Sequence, residues 1–446
     1  MKTPIFDFVR DYQKKSPERF HMPGHKGVGS SLCEGYDITE IDGADSLFDA
    51  SGIIRESEKY ASEIFGAHTF YSTEGSSLSI RAMLYLASLN ARENGKEPLI
   101  LAARNAHRAF ISAAALIGFK TEWIYPEKSL SYLSAKIDID ALRRRFLEKD
   151  NLPTAVYLTS PDYLGNVEDI SKIADVCHEN GVLLLVDNAH GAYLKFLNPS
   201  RHPIDLGADM CCDSAHKTLH ALTGSAYLHI SKLLPESFTA RAKAAMSLFA
   251  STSPSYLILS SLDKLNESLS NFEEKLSSFL PKVEALQRKL SEQGFDFIGN
   301  EPLKLTLDAK KYGYYGFEIA EKLRSKNVYS EFYDRDYLVL MLSPDNSDES
   351  LEALFKALSE VQRREEILEK APAFFKPEYK ISPREAVFSP FERVAAKTSL
   401  GRILAEPAVF CPPAVPILVP GELIDEDALR VFEYYGIETL PVLKEL

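Results

Sequence analysis

Lys217 lies in the stretch DSAHKTLHALTGSAYLHI, between a histidine and a threonine, with small residues and a strand-like run behind it. A lysine beside packed surface either extends its amine to water or puts it to chemical use. Thirty residues earlier, Asp187 ends the apolar run VLLLVD. A carboxylate at the end of a buried strand is costly unless a partner meets it. Taken alone, it reads as a helix cap or a salt bridge. The two together form a kit: the amine can hold an aldehyde cofactor as a Schiff base, and the acid can keep a pyridine nitrogen charged.

A cofactor of that kind carries a phosphate, which needs a cradle. In YSTEGSSLSIRAML, Gly75, Ser76 and Ser77 open a helical pattern, and backbone N–H groups at a helix start bind anions. Ser214 and His216 flank Lys217 and are further candidates for the phosphate. His107, in ARNAHRAF, is placed to stack on a ring or to cap a helix. Thr159 and Ser160, in LTSPDYLG, stand at another strand end. The cofactor expected is pyridoxal 5'-phosphate.

These residues must be positioned by strands that share an edge. EPLILAAR, TAVYLTSPDYLG, VLLLVDNAHG and ADMCCDSAHK read as apolar strands, with amphipathic helices such as ISKIADVCHENG between them. That alternation predicts an α/β fold with a mostly parallel sheet covered on both faces, and ligands at the carboxyl ends of its strands. A Leu-rich helical segment at about 257–293 leads to a smaller α/β region containing PLKLTLDA, GFEIAEKLRSKNV and YLVLMLSP. From about residue 371 a proline-rich stretch leads to a small C-terminal module.

Composition narrows the function. The chain has 446 residues, with 51 Lys and Arg against 64 Asp and Glu, a net charge of −13. An acidic surface argues against a nucleic-acid partner. The five cysteines form no CxxC pair, so neither a disulfide framework nor a metal site is expected. Adjacent Cys211 and Cys212 read as buried apolar residues. No run reaches the roughly 18 apolar residues of a membrane span, and a cytoplasmic protein is expected.

The chain resembles the bacterial Orn/Lys/Arg decarboxylases, pyridoxal-phosphate enzymes of fold type I (aspartate aminotransferase-like). The resemblance covers nearly its whole length. It rests on RFHMPGHKG, YDITEIDGADSL, ARNAHRA, LTSPDYLGNVEDI, VDNAHGA, SAHKTLHALTGSA, STSPSYLILSSLD, ISPREAVFSP and CPPAVPILVPGE, in the family's order. It implies a seven-stranded-type sheet, with an N-terminal arm at 1–30 and a large cofactor-binding domain at 31–256. A small α/β domain at 257–370 and a C-terminal domain at 371–446 would follow. It is similar to the short form without a receiver-like N-terminal domain. Lys217 would carry the cofactor, Asp187 would pair with the pyridine nitrogen, and Ala189 and His107 would pack on opposite ring faces. Gly75, Ser76, Ser77, Ser214 and His216 would hold the phosphate. Thr252 or Ser253 would reach it from a neighbouring subunit, making the protein a homodimer with active sites at the subunit interface. Glu422 would face the substrate's distal cation, and His190 would line the same pocket. The chain departs from the family's DEAHGAH and HKTLPALTGGA at Asn188, Tyr193, His220 and Ser225.

The reaction implied is loss of CO2 from arginine, lysine or ornithine, giving the amine used in polyamine synthesis. The alternatives are another fold type I reaction (transamination, racemisation or aldol cleavage) and a non-catalytic cofactor-binding protein.

Overall fold

The structure is a computed structural model that describes residues 2–29, 31–126, 131–148, 151–406, 410–411 and 415–444. Helix α1 (Pro4–Lys14) and α2 (Ile53–Phe65) precede the first strand, β1 (His68–Ser72). Then follow α3 (Ser76–Glu93), β2 (Leu99–Ala103), α4 (Arg108–Ile117), β3 (Lys120–Ile124), α5 (Ile139–Phe146) and β4 (Ala155–Thr159). The series continues with α6 (Ile170–His178), β5 (Leu183–Asp187), β6 (Met210–Asp213), the short α7 (Ala215–Thr218) and β7 (Ala226–Ile230). These strands form one seven-stranded sheet in the order β1-β7-β6-β5-β4-β2-β3. Among the register pairs β2 runs parallel to β3 and β4, and β5 parallel to β6; β7 is antiparallel to β6 and to β1. Strands buried on both faces read as unbroken apolar runs rather than alternating ones, as in the LLLV of β5.

Helices α8 (Glu236–Ser247) and α9 (Tyr256–Ser268) come next. The Leu-rich helical segment expected at about 257–293 consists of α9 and α10 (Phe272–Glu292), separated by a 3-10 turn at Leu269–Asn271. A second sheet, β10-β11-β9-β8, is antiparallel. Its strands are β8 (Phe297–Ile298), β9 (Lys304–Asp308), β10 (Phe332–Tyr333) and β11 (Tyr337–Met341), with α11 (Gly316–Arg324) and α12 (Asp348–Ser359). The C-terminal part holds α13 (Pro383–Val387), β12 (Phe391–Ala395), β13 (Phe410–Cys411), β14 (Val415–Pro416), α14 (Glu426–Tyr434) and β15 (Thr439–Leu443). Its core includes Ile417, Leu418, Val431, Phe432 and Leu440. Of CPPAVPILVPGE, Pro412 to Ala414 lie outside the described residues.

The chain forms two compact units, each discontinuous in sequence. The first is Met1–Lys96 with Ile170–Lys275, and the second is Glu97–Asp169 with Leu276–Leu446. No helix among the described residues is long and apolar enough to cross a membrane.

Candidate active site

In the first unit, strand direction gathers the candidate residues at one sheet edge. β5 and β6 are parallel, with Asp187 opposite Cys212, so Asp187 and Ser214 leave the sheet at the same end. β7 runs the other way and starts at that end, and β1 finishes there, with Ser72 opposite Ala226. The segment after β1 carries Gly75, Ser76 and Ser77.

Asp187 is 2% exposed, and its Oδ1 accepts from Ala189 N at 3.2 Å and from Cys212 Sγ at 3.5 Å. The chain then turns through Asn188 and Ala189 to His190, also buried. His190 Nε2 lies 2.8 Å from Lys217 Nζ. The Lys217 amine is therefore held by a side chain from the Asp187 loop, and the residue is half-buried on α7.

Helix α3 begins one residue after Gly75, whose φ is +69° and whose hydrogen in place of a side chain leaves no cap on the helix. The first N–H groups of a helix have no partner within it, so this end offers donors to an anion. A Cβ built on Gly75 would meet nothing within 4 Å, which leaves room in front of the helix. Ser214 Oγ donates to Ser76 Oγ at 2.9 Å, joining the two halves of the cradle. Gly75 N donates to Gly224 O at 2.8 Å. Gly224 has φ +99°, and a Cβ there would stand 3.1 Å from Thr73 O and 2.9 Å from Ile258 Cδ1, so a side chain would open this junction. His216 Nδ1 lies 2.9 Å from Ser225 O, and its ring is half-buried. Thr252 and Ser253 are exposed after α8, in a loop where Ser251 N donates to Glu74 Oε1 at 2.7 Å.

The second unit holds the other candidates. His107 is the N-cap of α4, with Nδ1 accepting from Ala109 N at 3.2 Å. That bond makes Nδ1 the unprotonated nitrogen. Thr159 ends β4, and its hydroxyl oxygen is buried with no hydrogen-bond partner among the described residues. Ser160 Oγ accepts from Glu168 N at 3.0 Å. Glu422 is 0% exposed, and its Oε2 accepts from Arg104 NH2 at 3.1 Å and Val419 N at 2.8 Å. Arg104 also donates to Pro416 O and Ile417 O, and it stacks over Trp123 at 5.1 Å. Burial pushes the Glu422 carboxyl up to about 7 against the pull of Arg104. Glu422 Oε1 is buried without a hydrogen-bond partner among the described residues.

The sequence reading missed a buried polar group beneath the first-unit edge. Asp213, His202 and His229 are each 0% exposed and bonded together. The one signal was an acid ending an apolar strand; the histidines come from distant segments with no motif. His202, Cys211 and Asp213 also offer ligand atoms within 4.8 Å of one another. Burial holds the Cys211 thiol far above its usual range, and it is the thiolate that binds metals.

Comparison with known proteins gives the family and the fold. The chain matches the Orn/Lys/Arg decarboxylase major domain over residues 3–298 and that family's C-terminal domain over residues 365–439. It is 30% identical to an arginine decarboxylase of Halalkalibacterium halodurans, over 99% of this chain and 95% of the relative. With an arginine decarboxylase of Bacillus subtilis it shares 28% identity, over 96% of this chain and 92% of the relative. The E. coli constitutive lysine decarboxylase superposes with a TM-score of 0.80 at 18% identity, over 99% of this chain and 82% of that one. A NifS-like protein matches with a TM-score of 0.56 at 13% identity, over 81% of this chain and 95% of that one, a likeness of fold alone. The expected aspartate aminotransferase-like, fold type I architecture thus holds, and the chain belongs to the Orn/Lys/Arg decarboxylase family.

Proposed function

We propose that the chain catalyses pyridoxal-phosphate-dependent α-decarboxylation of a basic amino acid, with arginine the first substrate to test. The observation that carries this reading is the 2.8 Å contact between Lys217 Nζ and His190 Nε2, on the loop that begins at the buried acid Asp187. The residues present fit the cofactor. An amine, a buried carboxylate at the adjacent strand end and an uncapped helix start with two serines suit its aldehyde, ring nitrogen and phosphate respectively.

When bound, the cofactor would supply the aldehyde that joins the substrate amine and the ring that takes up the electrons left by CO2. Asp187 would hold the proton on the ring nitrogen, and Ala189 would pack on one ring face. N–H groups of Ser76 and Ser77, with the hydroxyls of Ser76 and Ser214, would hold the phosphate, helped by Gly75 and His216. Lys217 Nζ then delivers a proton to the substrate α-carbon, and His190 Nε2 is near enough to orient that amine or exchange a proton with it. The family resemblance assigns His107 to the other ring face, and Thr159 and Ser160 to the ring. The His107 ring held at the start of α4 by Ala109 N, and the Thr159 hydroxyl, which has no hydrogen-bond partner among the described residues, support those assignments. Glu422 would receive the substrate's distal ammonium or guanidinium at Oε1, the oxygen that Arg104 leaves without a partner.

In this reading residues 1–30 form an arm, 31–256 the large domain, 257–370 the small domain and 371–446 the C-terminal domain. The working unit is a cytoplasmic homodimer feeding polyamine synthesis. Phe20, Met22 and Val28 are 95%, 65% and 79% exposed in the single chain, and Leu32 just after the arm is 76% exposed, which supports a partner covering the arm and the residues that follow it. Thr252 or Ser253 would then reach the partner's phosphate.

The test is incubation of the protein and cofactor with arginine, lysine and ornithine, each labelled at the carboxyl carbon. Labelled CO2 and the matching amine are expected from at least one. A keto acid instead would mean transamination, and no product from any of the three would reject the reading.

A further inference from the structure

Asp213 ends β6, and no solvent reaches it. Taking a carboxylate out of water costs several kcal/mol unless donors replace the water. Here they do. Oδ2 accepts from His202 Nε2 at 3.0 Å and His229 Nε2 at 3.2 Å, while Oδ1 accepts from Asn188 Nδ2 at 2.6 Å. Thr69 Oγ1 stands 2.9 Å from His229 Nδ1, and Phe65 packs on both imidazoles, 5.6 Å from the His202 ring and 4.5 Å from that of His229. Burial by itself would raise the acid, but the two imidazoles and their hydrogen bonds hold it well below the usual carboxylate range.

Stability does not account for this anion, because well-packed apolar residues usually serve a core as well as a buried charge network does. Its address does. Asn188 lies between Asp187 and His190, and Asp213 lies four residues before Lys217. The 2.6 Å bond is thus a side-chain brace between the segment carrying the ring acid and the segment carrying the amine. A backbone bond, Asn188 N to Cys212 O at 3.0 Å, runs beside it.

We infer that Asp213, anchored by His202 and His229, is a positioning residue that acts through Asn188 to fix Asp187 and His190 against Lys217. The inference rests on the proposed cofactor reading and extends it to residues that touch neither cofactor nor substrate.

Asn188→Ala and Asp213→Asn test it. Asn188→Ala removes the brace yet leaves the Asp213–histidine pairs intact, so it stays informative should Asp213→Asn fail to fold. In cofactor-free protein, amide exchange over residues 187–191 and 213–218 should quicken about tenfold, with little change elsewhere. With cofactor, the pH midpoint of the visible absorbance band should move, release should quicken about tenfold, and kcat should fall more than KM rises, as for other lost supporting contacts. The double variant should be no worse than the poorer single one. A parent with no visible band would mean that the cofactor reading itself has failed. A parent with the band, but Asn188→Ala matching it in exchange, midpoint and release, would overturn the inference alone.

Discussion

Lys217 is half-buried with its amine 2.8 Å from an imidazole, an expensive arrangement for a lysine with no task. Lys217→Ala should abolish the visible band of bound cofactor and lower CO2 release at least a thousandfold, the scale expected when a covalent group is lost. An unchanged spectrum would place the anchor on another lysine. Asp187→Asn should keep the fold and some bound cofactor, with turnover down at least a hundredfold by the CO2 assay. Glu422→Ala leaves Arg104 buried against Trp123 without its partner. It should cost about 3–5 kcal/mol in denaturant unfolding. At this scale the sequence was readable where chemistry and address coincide. A lysine and an acid following apolar strands stand out. Arg104 and Asp213 do not, because their partners lie 318 and 11 to 25 residues away and carry no spacing signal.

Elements repeat that division. EPLILAAR, TAVYLT, VLLLVD and ADMCCD are β2, β4, β5 and β6, legible because a fully buried strand leaves a short unbroken apolar run. The break between α9 and α10 was not legible, since Leu269 continues the helical period straight through the turn. Nor was the capping of α1. Thr3 makes no side-chain cap there and donates instead to Asp7. The cap is Asp263 of α9, whose Oδ2 accepts from Ile5 N and Phe6 N, both at 2.9 Å, and whose Oδ1 accepts from Ser57 Oγ at 2.5 Å. Asp263→Ala should destabilise the protein by about 2–4 kcal/mol in denaturant unfolding, because it removes the cap of α1 and the carboxylate that the Ser57 hydroxyl meets in the interior. Burial pushes the Asp263 carboxyl from 3.8 up to about 6, against those hydrogen bonds. The folded state then binds the proton more tightly than the unfolded chain. The group's contribution is present at low pH and is lost as pH rises through this window. Asp263→Asn keeps an acceptor for the helix and removes the titration. Its stability relative to the parent should climb between about pH 4 and pH 6, by at most roughly 3 kcal/mol.

At the scale of the molecule, the apolar side chains of the N-terminal arm and the exposed Thr252–Ser253 loop make one joint prediction. Light scattering should report about twice the 49.9 kDa chain mass. Phe20→Ser with Leu32→Ser should lower that mass and the activity together. Thr252→Ala with Ser253→Ala should weaken cofactor retention about tenfold, as expected for a lost phosphate donor, while leaving the mass unchanged. A fully active monomer would contradict both. The helix that starts bare at Gly75 has one more effect. In the proposed reading the cofactor's phosphate would complete its first turn, and part of the native state's free energy would then reside in the metabolite pool. A ligand at one hundred times its Kd adds about 2.7 kcal/mol of stability. Starved of the vitamin from which that molecule is made, a cell would hold this chain closer to its unfolding threshold, and proteases would set its abundance by nutrition as well as by gene expression.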